Sequence, residues 1–225
     1  MANKKIILAN NEFYHIFNRT IANEVVFNNK HHLNRVLSLT NFYRFKVPLS
    51  YSKFQNLPKQ EKEKILLVIY RSSPLVEIYS FAFMPNHYHF LIRQLQDNGI
   101  EYFVSNLQNS FAKFYNKKFN RKGSLFCHSF ERVRIETEEQ FIHVCRYIHL
   151  NPVTSYLIKL EELDDYLFTS FPAYVGKGLF SFINTELILN HFKTSQRYKE
   201  FVYNQSDYQK KLREIRHLLI ESIKV

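Results

Sequence analysis

The chain has no tryptophan, only two cysteines and a shortage of acid. Two cysteines, Cys127 and Cys145, cannot build the disulfide framework of a small secreted domain, and their scarcity fits a reducing compartment. No apolar run reaches the length of a membrane span. Residues 1–9 hold two lysines and a four-residue apolar stretch, too short for a signal peptide, so a cytoplasmic protein with no membrane partner is expected. Internal repeats and low-complexity tracts are also missing. Twenty Asp and Glu stand against thirty-one Lys and Arg, a net charge of +11 spread over several segments. Nucleic acid is the natural polyanionic partner for such a chain, although a generic basic surface explains the charge equally well.

What the chain does have is aromatic side chains, with fifteen Tyr and twenty-two Phe. Many Phe must be core. Exposed aromatic faces stack on unpaired bases while Lys and Arg follow phosphates, which favours single-stranded over regular duplex ligands. At 225 residues, 45% hydrophobic and 23% charged, the chain is an ordinary globular protein with room for one sizeable core and an appendage. Cys127-His128 and His143-x-Cys145 do not argue for zinc, because positions two apart on a helix do not face one another.

Two stretches carry chemistry. In Phe81-Ala82-Phe83-Met84-Pro85-Asn86-His87-Tyr88-His89-Phe90-Leu91-Ile92, strand alternation puts His87 and His89 on one face and Tyr88 on the other. Two imidazoles side by side can chelate a metal, or simply form a half-buried polar face. About sixty residues on, Thr137 reads as an N-cap, Glu138 and Glu139 suit the positive end of a helix dipole, and Pro152 is expected to stop the helix. Phe141, Ile142, Cys145 and Ile148 keep core spacing. Glu139, His143, Tyr147 and Asn151 step by four along another side, which sets a phenol one turn from a carboxamide.

At these residues the sequence resembles the REP-associated tyrosine transposases, within the single-tyrosine HUH endonucleases. His87-Tyr88-His89 matches the His, hydrophobic, His signature, and Tyr147-Ile148-His149-Leu150-Asn151-Pro152 matches the helix. The likeness extends to Tyr14-His15-Ile16-Phe17-Asn18-Arg19, Gly123-Ser124-Leu125-Phe126 and Tyr166-Leu167-Phe168-Thr169-Ser170. It implies that His87, His89 and Asn151 bind a divalent metal, with Asn151 where wider relatives often carry Gln or Glu. Mixed nitrogen and oxygen donors suit Mn²⁺ or Mg²⁺, and imidazole favours Mn²⁺. Tyr147 would be the nucleophile, cleaving and rejoining single-stranded DNA near a hairpin through a 5′-phosphotyrosine. The resemblance accommodates either a monomer or a homodimer.

Along the chain, residues 13–21 read as a first strand in which His15, Asn18 and Arg19 fit a DNA-facing surface or a solvated strand face. A helix follows Asn28-Asn29. Residues 48–71 read as a hydrophilic insertion with a short helix, and 76–83 and 87–94 as a hairpin around Met84-Pro85-Asn86. Residues 100–119 form a long helix with Phe103, Leu107, Phe111 and Phe114 as its apolar side. Lys117, Lys118, Arg121 and Lys122 then crowd around Phe119, a grip for a DNA backbone or a solvated helix end. Residues 130–136 alternate as a fourth strand that projects Arg132 and Arg134 together, where they fit a phosphate.

Strand, helix, strand, strand, helix, strand is the order of the α+β ferredoxin-like split βαβ fold, with an antiparallel sheet and the catalytic helix after it. A sheet backed by helices on one face is expected to leave the other free for a ligand. The expected division is a tyrosine transposase domain over 1–178 and a helical C-terminal extension over 179–225. Tyr88 points away from the histidines by alternation, and Tyr115 has Phe119 rather than a ligand four positions on, so Tyr147 alone keeps the full pattern. His143 and His149 are the bases suggested by proximity in sequence. Two other readings stand beside the transposase. One is a non-catalytic single-stranded nucleic-acid binding module on an RRM-like sheet; the other is a metal-dependent phosphodiesterase that uses water.

Overall fold

In the segment Phe13–Arg19 every second side chain is buried, the pattern of a strand between two unlike layers. The computed structural model, which describes residues 7–127 and 129–205, makes this strand β1. The others are β2 (Val76–Met84), β3 (His87–Gln94) and β4 (Glu131–Ile135). They form one antiparallel sheet in the order β2-β3-β1-β4. Helix α1 (Lys30–Tyr43) leads from β1 towards β2 and α4 (Gly99–Lys118) joins β3 to β4, so the ferredoxin-like order read from the sequence is borne out.

Pairing fixes the faces. Phe17 lies opposite His89, His15 opposite Leu91 and Arg19 opposite His87, so these side chains share one face; Tyr14, Ile16, Tyr88 and Phe90 take the other. Helix α4 covers the second face, where Phe103 meets Phe90 at 5.5 Å between ring centroids and Gln108 Nε2 donates to Tyr88 Oη at 2.6 Å. Helix α5 (Glu138–Thr154) lies on the first face, with the Phe141 ring 5.0 Å from both Phe13 and Tyr79. The expectation of a bare sheet face is thus corrected. Phe141, Cys145 and Ile148 form an apolar stripe, and burying it draws α5 down onto the sheet.

Helix α5 begins as the sequence predicts, with Thr137 Oγ1 accepting from Gln140 N at 3.1 Å. It does not end at Pro152 but runs on to Thr154. Proline forfeits its own amide and crowds the carbonyl one turn back, but here the end is closed by Ser155 N donating to Asn151 O at 3.0 Å and Leu157 N to Pro152 O at 2.9 Å. The insertion also holds more structure than one short helix. It contains α2 (Tyr51–Gln55) and α3 (Lys59–Arg71), and Tyr51 and Phe54 are buried against Phe42.

After β4 and α5, helices α6 (Phe171–Tyr174), α7 (Glu186–Phe192) and α8 (Ser195–Tyr203) return to the body of the protein. Tyr198 of α8 is buried against α5, with its hydroxyl 2.8 Å from His149 Nδ1 and 3.3 Å from Cys145 Sγ. The rest of the expected C-terminal helices, residues 206–225, lies outside the described residues, as do residues 1–6 and His128. No described helix is long and apolar enough to cross a membrane.

Candidate active site

The hairpin between β2 and β3 turns at Pro85-Asn86, which delivers His87 to the first position of β3 and His89 two residues on. Their rings meet edge to face at 5.1 Å. Asn86 Oδ1 lies 2.7 Å from His87 Nδ1, and Asn86 is itself oriented by donating from Nδ2 to Asn23 Oδ1 at 3.3 Å. An amide oxygen only accepts, so His87 carries a hydrogen on Nδ1.

A third imidazole joins them. Neighbouring strands bring His15 of β1 against His89, with His15 Nε2 3.0 Å from His89 Nδ1 and the rings stacked at 5.2 Å. Burial lowers the His15 pKa from its ordinary value to about 4. Burial, followed by the neighbouring His15 and His87, holds His89 well below the ordinary imidazole range. Both rings are therefore neutral near pH 7, and one donates to the other across this contact.

Helix α5 places Tyr147 over this group. Its ring meets those of His15 and His89 edge-on, each at 5.9 Å, and the side chain is 41% exposed. Neighbours in the apolar stripe are sealed, whereas this phenol stays open to solvent beside buried His89 and half-buried His15. Asn151, one turn on, is buried and donates from Nδ2 to the Tyr147 carbonyl at 3.3 Å, which leaves Oδ1 as its accepting atom. Tyr88 is buried on the opposite sheet face with its hydroxyl on Gln108, as alternation predicts.

Neither sequence-suggested base is aimed at Tyr147. Both ring nitrogens of His149 are taken, by Tyr198 Oη and by Ser170 Oγ, each at 2.8 Å in the core. His143 Nδ1 faces Arg146 at 2.7 Å and its ring packs on Phe201. Besides His89, His15 is the imidazole that meets the phenol. Strand alternation alone could have put it on the same face as Phe17, but only the register placed it beside His89.

The basic residues divide. Arg19 is exposed and directly across from His87. Arg132 and Arg134 do share a face, but it is the α4 face, away from the histidines, because β4 pairs them with Ile16 and Tyr14. There Arg132 pairs with Glu101 at 3.3 Å and Arg134 with Glu12 at 2.9 Å. Arg121 pairs with Glu24 at 2.8 Å, and Lys118 Nζ lies 3.2 Å from His32 Nε2. Lys117 and Lys122 are exposed.

Among the described residues no three His, Cys, Asp or Glu side chains form a group that could hold a metal ion. A cation here needs a donor of another kind, and the Asn151 amide oxygen is the one the resemblance supplies. His87 and His89 fit that role, since one ring nitrogen of each is engaged by Asn86 or His15, the usual way a ligating ring is oriented.

Residues 51–151 match the family described as "Transposase IS200 like", a match that includes His87, His89 and Tyr147 and ends on Asn151. A comparison with curated proteins finds no match. Among solved structures the chain is similar to that of a REP-associated tyrosine transposase bound to a REP hairpin. The two share 12% identity and a TM-score of 0.53, over 81% of this chain and 90% of that one. Family match and shared fold bear out the resemblance carried by the motifs: over residues 51–151 the chain is similar to the IS200-like transposases, and its fold is that of a tyrosine transposase.

Proposed function

We propose that this protein is a DNA transposase that cleaves and rejoins one DNA strand near a hairpin by passing a phosphodiester through Tyr147. The observation that carries the reading is a half-open phenol resting on two neutral imidazoles. Tyr147 Oη forms a bond to the scissile phosphorus as the bond to the 3′-oxygen breaks. The phenol gives up its proton to solvent on the open side of the site, and the departing oxygen takes one from it, leaving a 5′-phosphotyrosine and a free 3′-hydroxyl. Attack by a 3′-hydroxyl reverses the step and restores Tyr147. One phosphodiester is exchanged for another, so rejoining needs no ATP.

His87 and His89 through Nε2, with Asn151 through Oδ1, would hold Mn²⁺ or Mg²⁺. Such an ion supplies Lewis-acid polarisation of the scissile phosphate. Exposed Arg19, across from His87, would grip a neighbouring phosphate. A hairpin-bearing single strand as the partner is supported by the similar transposase, which was solved with a REP hairpin.

The test uses a labelled single strand carrying a hairpin, with Mn²⁺. Wild type should give a denaturation-resistant protein-DNA adduct that peptide mapping places on Tyr147, and Tyr147→Phe should bind the strand but form none. Cleavage by Tyr147→Phe at the wild-type rate would mean that water or another residue attacks, and the phosphotyrosine reading would fall.

A further inference from the structure

A cleft of about 660 Å³ opens between α1, the inserted α2 and α4. Helix α4 turns its inner side to Tyr88 and Phe90, so the sheet separates this cleft from Tyr147. Three cations line it, Arg35, Lys113 and Lys117, and no Asp or Glu does. Among the described residues none of the three lies in an ion pair, in contrast to Arg121, Arg132 and Arg134.

Arg35 is held in place by its surroundings. Its guanidinium sits 4.6 Å from the Tyr51 ring centre and 5.1 Å from that of Phe114, and its Nε is buried with no hydrogen-bond partner. A buried charged donor without an acceptor is costly, so rings that fix it there create a standing demand for an anion. Lys113 and Lys117 are exposed one helical turn apart, about 6 Å between Cβ atoms. That interval is close to the step between successive phosphates of an extended strand. Asn106 and Asn109 flank the lysines with amides able both to donate and to accept.

We propose that this cleft binds a second stretch of single-stranded DNA through its phosphates, apart from the strand at Tyr147. The proposal rests on the DNA reading above. A cation pair spaced along a helix, an oriented guanidinium and amides at the wall suit a chain of phosphates and bases better than one small anion.

The probe is a fluorescent oligo-dT of about a dozen nucleotides with no hairpin, titrated by anisotropy at several salt concentrations with the full chain. Lys113→Gln should lower the slope of log affinity against log salt by about 0.7, and Arg35→Met with Lys113→Gln by about 1.4, with affinity falling several-fold. Met keeps an apolar stem between the rings, and the single Lys113→Gln change at an exposed site guards against misfolding. Unchanged slopes and affinities in both variants would overturn the proposal. So would displacement of the oligonucleotide from wild type by equimolar inorganic phosphate or thymidine monophosphate, which would make this a small-anion site. Adduct formation on a hairpin strand is read separately in wild type. Its absence would sink the Tyr147 chemistry and leave the oligo-dT result standing.

Discussion

His15 Nε2 lies 3.0 Å from His89 Nδ1, so the ring that faces Tyr147 is oriented by a histidine from another strand. If His89 donates to His15, its lone pair is held on Nε2 for a metal. His15→Ala should then weaken Mn²⁺ binding by about 10- to 100-fold, and His15→Gln, which keeps an acceptor, by less. Titration calorimetry without DNA checks this, and equal affinity in wild type and His15→Ala would reduce the contact to packing.

His87 is partly exposed and leaves a tight turn, so its replacement should spare the fold. His87→Ala should abolish cleavage while hairpin binding changes by no more than about twofold, because phosphate contacts elsewhere supply the affinity. EDTA should silence wild type in the same way, with Mn²⁺ restoring it. Loss of thermal stability along with binding would instead assign His87 a structural part.

Acid should unfold the protein by way of its buried imidazoles. Burial lowers His149 to about 3 and His15 to about 4, against about 6.5 in an unfolded chain. Between about pH 6.5 and those lower values the unfolded chain binds protons that the native one refuses, so stability falls as pH falls and levels off below them. At about 1.4 kcal/mol per pKa unit, His149 alone accounts for several kcal/mol. Urea midpoints at pH 7, 5 and 4 should decline steadily, and His149→Gln should flatten the decline; a pH-independent midpoint would contradict the burial argument.

Gly99 opens α4 directly after Asn98, whose φ of 57° is left-handed. A Cβ on Gly99 would stand 2.4 Å from the Leu75 carbonyl oxygen, a backbone atom that cannot step aside. Gly99→Ala should therefore destabilise by about 1–3 kcal/mol despite the better helix propensity of alanine. A Tm equal to or above that of wild type would show that the β2 approach yields.

Local periodicity made much of the site legible in the sequence. A period of two puts His87 and His89 on one face and Tyr88 on the other, a step of four puts Asn151 one turn beyond Tyr147, and Thr137 announces the helix start. These relations hold within single elements, where backbone geometry alone decides them. Register between strands does not follow from either strand's pattern, so nothing local revealed that His15 would meet His89 or that Arg132 and Arg134 would face α4. Pro152 misled because the helix runs on past it to Thr154, where burial of residues 148–154 offsets the lost amide bond and the crowded carbonyl. The phenol over the imidazoles and the unpaired cations between α1, α2 and α4 were decided by how helices dock on the sheet. Docking is governed by apolar area summed over distant segments, and only the assembled chain carries that sum.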